Sequence, residues 1–452
     1  MRTLSSLIAI LAAVSAAPSS LRVRPRVTGS DFTTAYAGEA KDIIITKDNT
    51  LNGTYHDDAI ETANSTASTL AARRMPFKLV NNFSGGQVKA YITGLDTNGK
   101  VVFIRSNGKA FYPSSRGSIA PVEINDGDIA IKLPGRGKTL NVDIPIPISS
   151  GRVYFSEGNL RFFMVKIPNG DGLVQPSVTN LKDPSAETNW GFVEFTYNTN
   201  GSLYANISYV DFVGMILSMQ LTTKNGSGRQ LTKGLDAGAV SAICKGLAAQ
   251  SQKDKRNWKA MCITKRSGAL IRVLSPNDYA VIKPSDFQNY WQGYVDQVWS
   301  YYSRNTLTIN TQGSAGKVAC RVNGDQMSCK GDNRSYRKPT AKDIWGCDSG
   351  PFGKLGGDNA VHLAILARLC AAFHRSTLRL QGGNVQPSLP ASSYYKVGPT
   401  NHYSRLVHEH EVDRKGYAFP YDDVNPNGEN ASGVVTSGQP DSLTVYFGAP
   451  PR

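Results

Sequence analysis

A chain of 452 residues, 40% hydrophobic and carrying 5 Trp, 20 Tyr and 16 Phe, can fill a large core, which excludes wholesale disorder. Lys and Arg number 50 against 35 Asp and Glu, a formal charge of +15, yet only 19% of the residues are charged. The basic excess is therefore spread thinly, with Lys253–Arg256 (KDKR) its densest run, and neither a nucleic-acid partner nor a membrane span is expected.

In residues 1–17, Arg2 precedes the apolar stretch Leu4–Val14 and a small-residue site at Val14-Ser15-Ala16 or Ser15-Ala16-Ala17. That is the pattern of a secretory signal peptide, so a secreted protein, extracellular or in a cell wall, is expected. Eight N-x-Ser/Thr sequons, at Asn52, Asn64, Asn82, Asn200, Asn206, Asn225, Asn333 and Asn430, agree with a glycoprotein. Residues 18–74 read as a propeptide or flexible N-terminal segment. The small, polar run Thr62–Ala72 leads to the dibasic pair Arg73-Arg74, and the mature chain is expected to begin near Met75.

Residues 75–212 have a strand pattern. Lys89–Gly94, Val101–Arg105, Asp128–Leu133, Leu140–Pro147, Arg152–Phe155 and Leu160–Ile167 are short, rich in Val, Ile, Phe and Tyr, and divided by Gly, Asn and Pro, as in a β-sandwich or barrel. Residues 213–385 are mixed α/β. Apolar spacing predicts helices over Ala239–Ala249 and Val361–Phe373, the latter after the capping candidates Asp358 and Asn359. A capping box at Ser285-Asp286-Phe287-Gln288 predicts a third helix over Phe287–Tyr302, whose aromatics are expected to be core. Asn305–Asn310 and Lys317–Val322 read as strands. All six cysteines, Cys244, Cys262, Cys320, Cys329, Cys347 and Cys370, lie in this region. Three disulfides are expected; connectivity stays open, and sequence neighbours are the simplest pairing. Residues 386–452 return to strand patterns at Gly416–Val424 and Ser442–Phe447. This C-terminal segment is expected to rejoin the β-domain, making the α/β region an insertion.

The strongest chemical signal is Phe192-Val193-Glu194-Phe195-Thr196-Tyr197-Asn198 followed by Leu203–Phe212 (LYANISYVDF). Strand alternation puts Glu194, Thr196 and Asn198 on one face. The turn Thr199-Asn200-Gly201-Ser202 folds the next segment back and brings Asp211 towards Glu194. Carboxylates roughly 5–8 Å apart across such strands overlap the about 6.5–9.5 Å that holds a water between an acid and a base in inverting glycosidases. Strict alternation would turn Asp211 to the other face, so a bulge or strand end between Ser208 and Asp211 is required. A solvated polar hairpin face is the competing reading. His408-Glu409-His410 reads as a strand with both imidazoles on one face, but without a third ligand no metal is expected.

With FVEFTYN, SYVDF and the tail motif FPYDDVN, the chain from about Met75 onward resembles glycoside hydrolase family 64, endo-β-1,3-glucanases related to thaumatin-like proteins. The resemblance implies a mainly β, thaumatin-like sandwich or barrel domain, an inserted mixed α/β domain, and a wide cleft between them for β-1,3-glucan. It implies Glu194 as general acid, kept protonated by burial beside Phe192 or Phe195, and Asp211 as general base of an inverting hydrolysis that uses no cofactor. Polar and aromatic partners fall on Thr196, Asn198, Tyr204 and Ser208. At the last two the family more typically carries Trp and Thr, which puts subsite contacts in question, and Asn206 opens a sequon beside the cleft. Asp422 and Asp423 are candidates for glucan hydroxyls. A monomer is expected. The alternative is a non-catalytic, thaumatin-like glucan-binding or defence protein, which has no need of the acid–base pair.

Overall fold

The computed structural model describes residues 32–52, 74–168, 170–224, 228–429 and 431–449. The signal peptide and the sequons at Asn64, Asn225 and Asn430 lie outside these residues, as does most of the stretch read as a propeptide. Strands predominate, arranged in five sheets. Among the described residues, no helix is long and apolar enough to cross a membrane.

Two sheets face each other. The larger runs Val435–Ser437, Leu203–Ile207, Asn189–Tyr197, Ile148–Glu157, Val88–Leu95, Val101–Ile104 and Ala110–Phe111, with Ile131–Lys132 also on Val88–Leu95. The second runs Arg229–Thr232, Leu217–Thr223, Pro440–Gly448, Met75–Asn82 and Thr139–Ile144. Alternate side chains from both enter one core: Phe77 meets Phe195 edge-on with ring centroids 5.0 Å apart, and Phe155 stacks on Phe447 at 5.4 Å. The C-terminal strand lies parallel to Met75–Asn82, so the tail does rejoin the first strands. Leu217–Thr223 and Arg229–Thr232 belong here too, which carries the sandwich past residue 212 to Thr232.

The middle of the chain builds its own five-stranded sheet, ordered Ser335–Tyr336, Gln326–Cys329, Lys317–Asn323, Leu307–Asn310 and Val385–Gln386. The helices Gln292–Tyr302 and Ala360–Arg375 pack on it, whereas Ala239–Asp254 packs on Leu270–Leu274 and on the helix His402–His410. Asn359 caps Ala360–Arg375 by accepting from the His362 N–H. The disulfides join sequence neighbours, Cys244–Cys262, Cys320–Cys329 and Cys347–Cys370. Thiol titration of the denatured, non-reduced protein should accordingly find no stoichiometric thiol; one thiol per chain would contradict this pairing.

Four local expectations fail for identifiable reasons. Asp128–Leu133 begins as a helical turn, Asp126–Ile129, because the Asn125 side chain caps the Gly127 N–H; only Ile131–Lys132 is strand. The helix expected from Phe287 starts at Gln292, since Pro284–Asp286 forms a separate 3₁₀ turn and the capping box is not used. Its aromatics are core as expected, with Trp291, Tyr294, Trp299 and Tyr302 buried and Tyr301 exposed. Gly416–Val424 makes turns and a single bridge from Tyr417 to Ser208 instead of a strand. His408-Glu409-His410 ends the helix His402–His410, where a two-residue offset points the imidazoles apart.

Candidate active site

Glu194 lies in the strand Asn189–Tyr197, whose pleat leaves Glu194 and Thr196 half-buried on one face and buries Val193, Phe195 and Tyr197 on the other. Across the ladder, Glu194 is opposite Asn206 on one side and Arg152 on the other. Three polar side chains thus form a row across three adjacent strands.

Arg152 owes its position to an irregularity. The register of Ile148–Glu157 shifts between Ile148 and Gly151, and Ser150 takes a left-handed φ of 47°. Gly151 passes so close to Phe195 that a Cβ would lie 2.7 Å from its ring. The bulge aims Arg152 at the carboxylate: Nε and Nη2 donate to Glu194 Oε1 at 3.3 and 3.1 Å. Nη1 donates to Gln175 Oε1 at 2.8 Å, the Tyr154 hydroxyl donates to the same oxygen, and the guanidinium lies 4.4 Å over the Phe192 ring. Asn206 Nδ2 donates to Glu194 Oε2 at 3.2 Å. The Glu194 side chain keeps 34% of its exposure, enough to meet a substrate.

This environment differs from the apolar pocket expected for Glu194. Phe192 lies under the guanidinium, Phe195 points to the other face, and Glu194 is held by the charged donor Arg152.

Asp211 does not sit opposite Glu194 in the hairpin. The strand Leu203–Ile207 ends first; Ser208 bridges Tyr417, the Tyr209 N–H donates to the Tyr417 carbonyl at 2.7 Å, and the Tyr403 hydroxyl donates to the Tyr209 carbonyl at 2.6 Å. The chain then bends at Asp211 and enters Phe212–Val213, which pairs with Leu270–Leu274. The Ser275 N–H clamps the Asp211 carbonyl at 2.8 Å. A strand end, one of the two options the alternation required, comes before Asp211, whose carboxyl lies within electrostatic reach of Arg152 and Glu194. Burial pushes the Asp211 carboxyl up; Arg152 opposes this, and Glu194 and Asp48 add to it. Buried Asp278, three residues beyond Ser275, is pushed well up by burial and then by Asp211 and Asp48.

The other expected residues divide. Thr196 faces Tyr204 across the ladder, and Tyr204 hydrogen-bonds to Tyr417, which in turn bonds Asp423. These groups extend the polar row away from Glu194. Asn198 is occupied in the hairpin turn, its Nδ2 donating to Ser202 Oγ at 2.9 Å, and the Ser208 hydroxyl accepts from the Val210 N–H at 3.3 Å. Asp422 and Asp423 are separated completely. Asp423 is exposed, whereas Asp422 is 1% exposed and held by Arg375, His408 and the Ala418 N–H. Asp422 therefore shapes the turn and is corrected from a glucan contact to a structural anion.

Arg152, Tyr154, Gln175, Tyr417 and Asp278 were not legible as site residues. A lone Arg on a strand looks like any solvated cation until the bulge and the neighbouring strand are known. Among the described residues, one His/Cys/Asp/Glu group is tight enough for a metal, Cys347, Cys370 and His374, but both sulfurs are consumed in a disulfide.

Comparison with known proteins shows the family. A family model described as beta-1,3-glucanase matches residues 73–447. Two curated relatives, each called glucan endo-1,3-beta-glucosidase, come from Arthrobacter sp. (strain YCWD3) and Cellulosimicrobium cellulans. Each is 27% identical over 383 residues, covering 82% of this chain. The chain spans 64% of the length of those relatives. A solved laminaripentaose-producing beta-1,3-glucanase in complex with laminaritetraose is similar with a TM-score of 0.72 and 26% identity, over 84% of this chain and 99% of that one. A beta-1,3-glucanase domain from Clostridium beijerinckii shares the fold at a TM-score of 0.64 and 20% identity, over 84% of this chain and all of that one.

Proposed function

The chain belongs to the β-1,3-glucanases of glycoside hydrolase family 64, and from that membership we propose that it is an endo-β-1,3-glucanase. In this reading it is secreted, acts as a monomer, and cleaves internal β-1,3-glucosidic bonds with inversion to release laminari-oligosaccharides. The observation that carries the proposal is that Arg152, hydrogen-bonded to Glu194, also acts electrostatically on Asp211, so that both carboxyl groups lie in reach of one guanidinium. Two carboxyl groups in reach of one guanidinium, one hydrogen-bonded to it and the other pushed up by burial, suit a division into acid and base. A protein that only bound glucan would have no use for a guanidinium aimed at a carboxylate beside a half-buried second acid.

The proposed architecture is thaumatin-like: residues 75–232 and the C-terminal segment form the β-domain, the α/β region is inserted, and glucan lies in a cleft between them. The placement of Pro440–Gly448 beside Met75–Asn82, inside the second sheet, supports it. Glu194 and Asp211 act as acid and base. One observation, the Arg152 ion pair, favours the reverse order, in which ionised Glu194 activates water and Asp211 protonates the leaving oxygen. Incubating the purified protein with laminarin or curdlan and measuring released sugars tests the function; intact polymer with tight binding would favour the non-catalytic alternative.

Asp423 is proposed to bind glucan hydroxyls beside Tyr204 and Thr196. Hydrogen bonds to a charged group contribute about 1.5–3 kcal/mol, so Asp423→Asn should raise KM by roughly tenfold or more with little change in kcat. An unchanged KM would remove Asp423 from the substrate path.

A further inference from the structure

The family match begins at residue 73, yet residues 32–52 are built into the fold. Thr33–Thr34 pairs in parallel with Ile263 and Thr264, Thr33 Oγ1 donates to the Ala260 carbonyl at 2.6 Å, and Ala35 is 1% exposed. Further on, Thr50 and Leu51 pair antiparallel with Val174 and Leu173, and the Gln175 N–H donates to the Asn49 carbonyl at 2.8 Å. Between these ends, Asn180 Nδ2 donates to the Asp42 carbonyl at 2.8 Å. This is not the behaviour expected of a loose leader.

One of the two sheets joined in this way leads to Asp211, and the other ends at a residue that holds the partner of Glu194. Thr33–Thr34 is the edge of the sheet that continues through Cys262–Thr264 and Leu270–Leu274 to Phe212–Val213, directly after Asp211. Thr50–Leu51 is the edge of the sheet whose strand Gly170–Val174 ends at Gln175, the partner of Arg152 on Glu194. One segment of some twenty residues therefore closes both edges.

Resting on the glucanase reading above, we propose that residues 32–52 are a clasp that positions Glu194 and Asp211 relative to each other. The clasp is a working part of the enzyme and remains bound when the chain is cut at Arg73-Arg74. Two edge pairings, backed by buried Leu51 and Ala35, hold it without the covalent link. Asp48 also adds its charge to the field at Asp211, where Arg152, Glu194, Asp278, Tyr154 and Tyr403 are the other ionisable neighbours.

The test uses the full chain carrying a specific protease site within residues 60–70. After cleavage, the two pieces should co-elute on native size exclusion with turnover on laminarin unchanged; separation of the pieces overturns the clasp whatever the activity. A deletion of residues 1–52 should lose about 10²-fold in kcat, the scale expected of a misplaced catalytic group, with KM little changed and with recovery on adding a peptide of residues 32–52. Full or increased turnover without the segment would make it a passenger or an inhibitor and sink the proposal. Should the deletion fail to fold, Asp48→Asn in the intact chain decides. Loss of that exposed charge should move the Asp211 limb of the pH–rate profile to lower pH, and an unmoved limb counts against the clasp. If the intact wild-type chain releases no sugar, the glucanase reading fails, while co-elution still judges the clasp.

Discussion

Glu194→Gln and Asp211→Asn should each fold, bind glucan and lose at least about 10²-fold in turnover, the usual contribution of a proton transfer. Each amide keeps the shape of the acid: the amide oxygen at position 194 can still accept from Arg152, Asn206 turns its own amide to accept from the new NH2, and the Ser275 clamp on the Asp211 carbonyl is untouched. The two defects then reveal which group does what. The variant of the acid should be least impaired on substrates with activated leaving groups, which need no protonation. The variant of the base, or its smaller alanine counterpart, should regain activity with azide and yield an azide adduct. Rescue at Asp211 supports the order in which Glu194 is the acid; rescue at Glu194 supports the order favoured by its ion pair. Proton NMR of the fresh wild-type product should show the α-anomer appearing first from a β-linkage. A β-anomer means retention, with a nucleophile in place of a water-activating base. Folded variants with wild-type rates would remove both residues from the chemistry.

Asp422→Ala should cost about 3–5 kcal/mol of unfolding free energy, read as a fall in the urea midpoint. In the native chain Asp422 Oδ1 accepts from Arg375 Nη2 at 2.8 Å and Oδ2 from His408 Nε2 at 2.9 Å, while His408 Nδ1 reaches Glu411 Oε2 at 2.9 Å. All of these groups except His408 are nearly sealed from solvent, and His408 is mostly so. Without the carboxylate, the two cations face each other with no anion between them. The neighbouring carboxylates, Glu411 first and Asp422 second, outweigh burial and raise His408 well above the ordinary imidazole range. A raised folded pKa means that the imidazolium contributes its full stabilisation below about pH 6.5. That contribution is lost as pH rises through the raised value. Asp422 runs the other way: despite burial, His408 and then Arg375 hold it below the usual carboxylate range, so its contribution is lost only in acid. Glu411, pushed up chiefly by burial, loses its contribution as pH rises from the ordinary carboxylate range through its own raised value. The wild-type stability curve should therefore fall more steeply towards alkaline pH than that of His408→Gln. Parallel curves would show that the imidazolium carries none of this dependence, and an unchanged midpoint for Asp422→Ala would remove the network as a stabilising feature.

The sequence alone determined the elements whose signals are local. Alternation placed Glu194 and Thr196 on one face because a pleat has period two whatever surrounds it. The apolar period and Asn359 located the helix Ala360–Arg375, and cysteine proximity anticipated three short disulfide loops. The motifs around Glu194 and Asp211 pointed to the family to which the chain belongs. What the tertiary structure decided was everything that depends on neighbours distant in the chain. Glu194 and Arg152 are 42 residues apart, and only a bulge at Gly151 and the pairing of two strands make them an ion pair. Asp422 and Asp423 are adjacent and chemically identical, yet one is sealed against Arg375 and His408 and the other faces solvent, because a turn has two sides. Residues 32–52 have weak periodicity of their own and gain order from sheet edges supplied by residues 173–174 and 263–264. An edge strand takes its hydrogen-bond partners from the sheet it joins, so its own composition need not announce it.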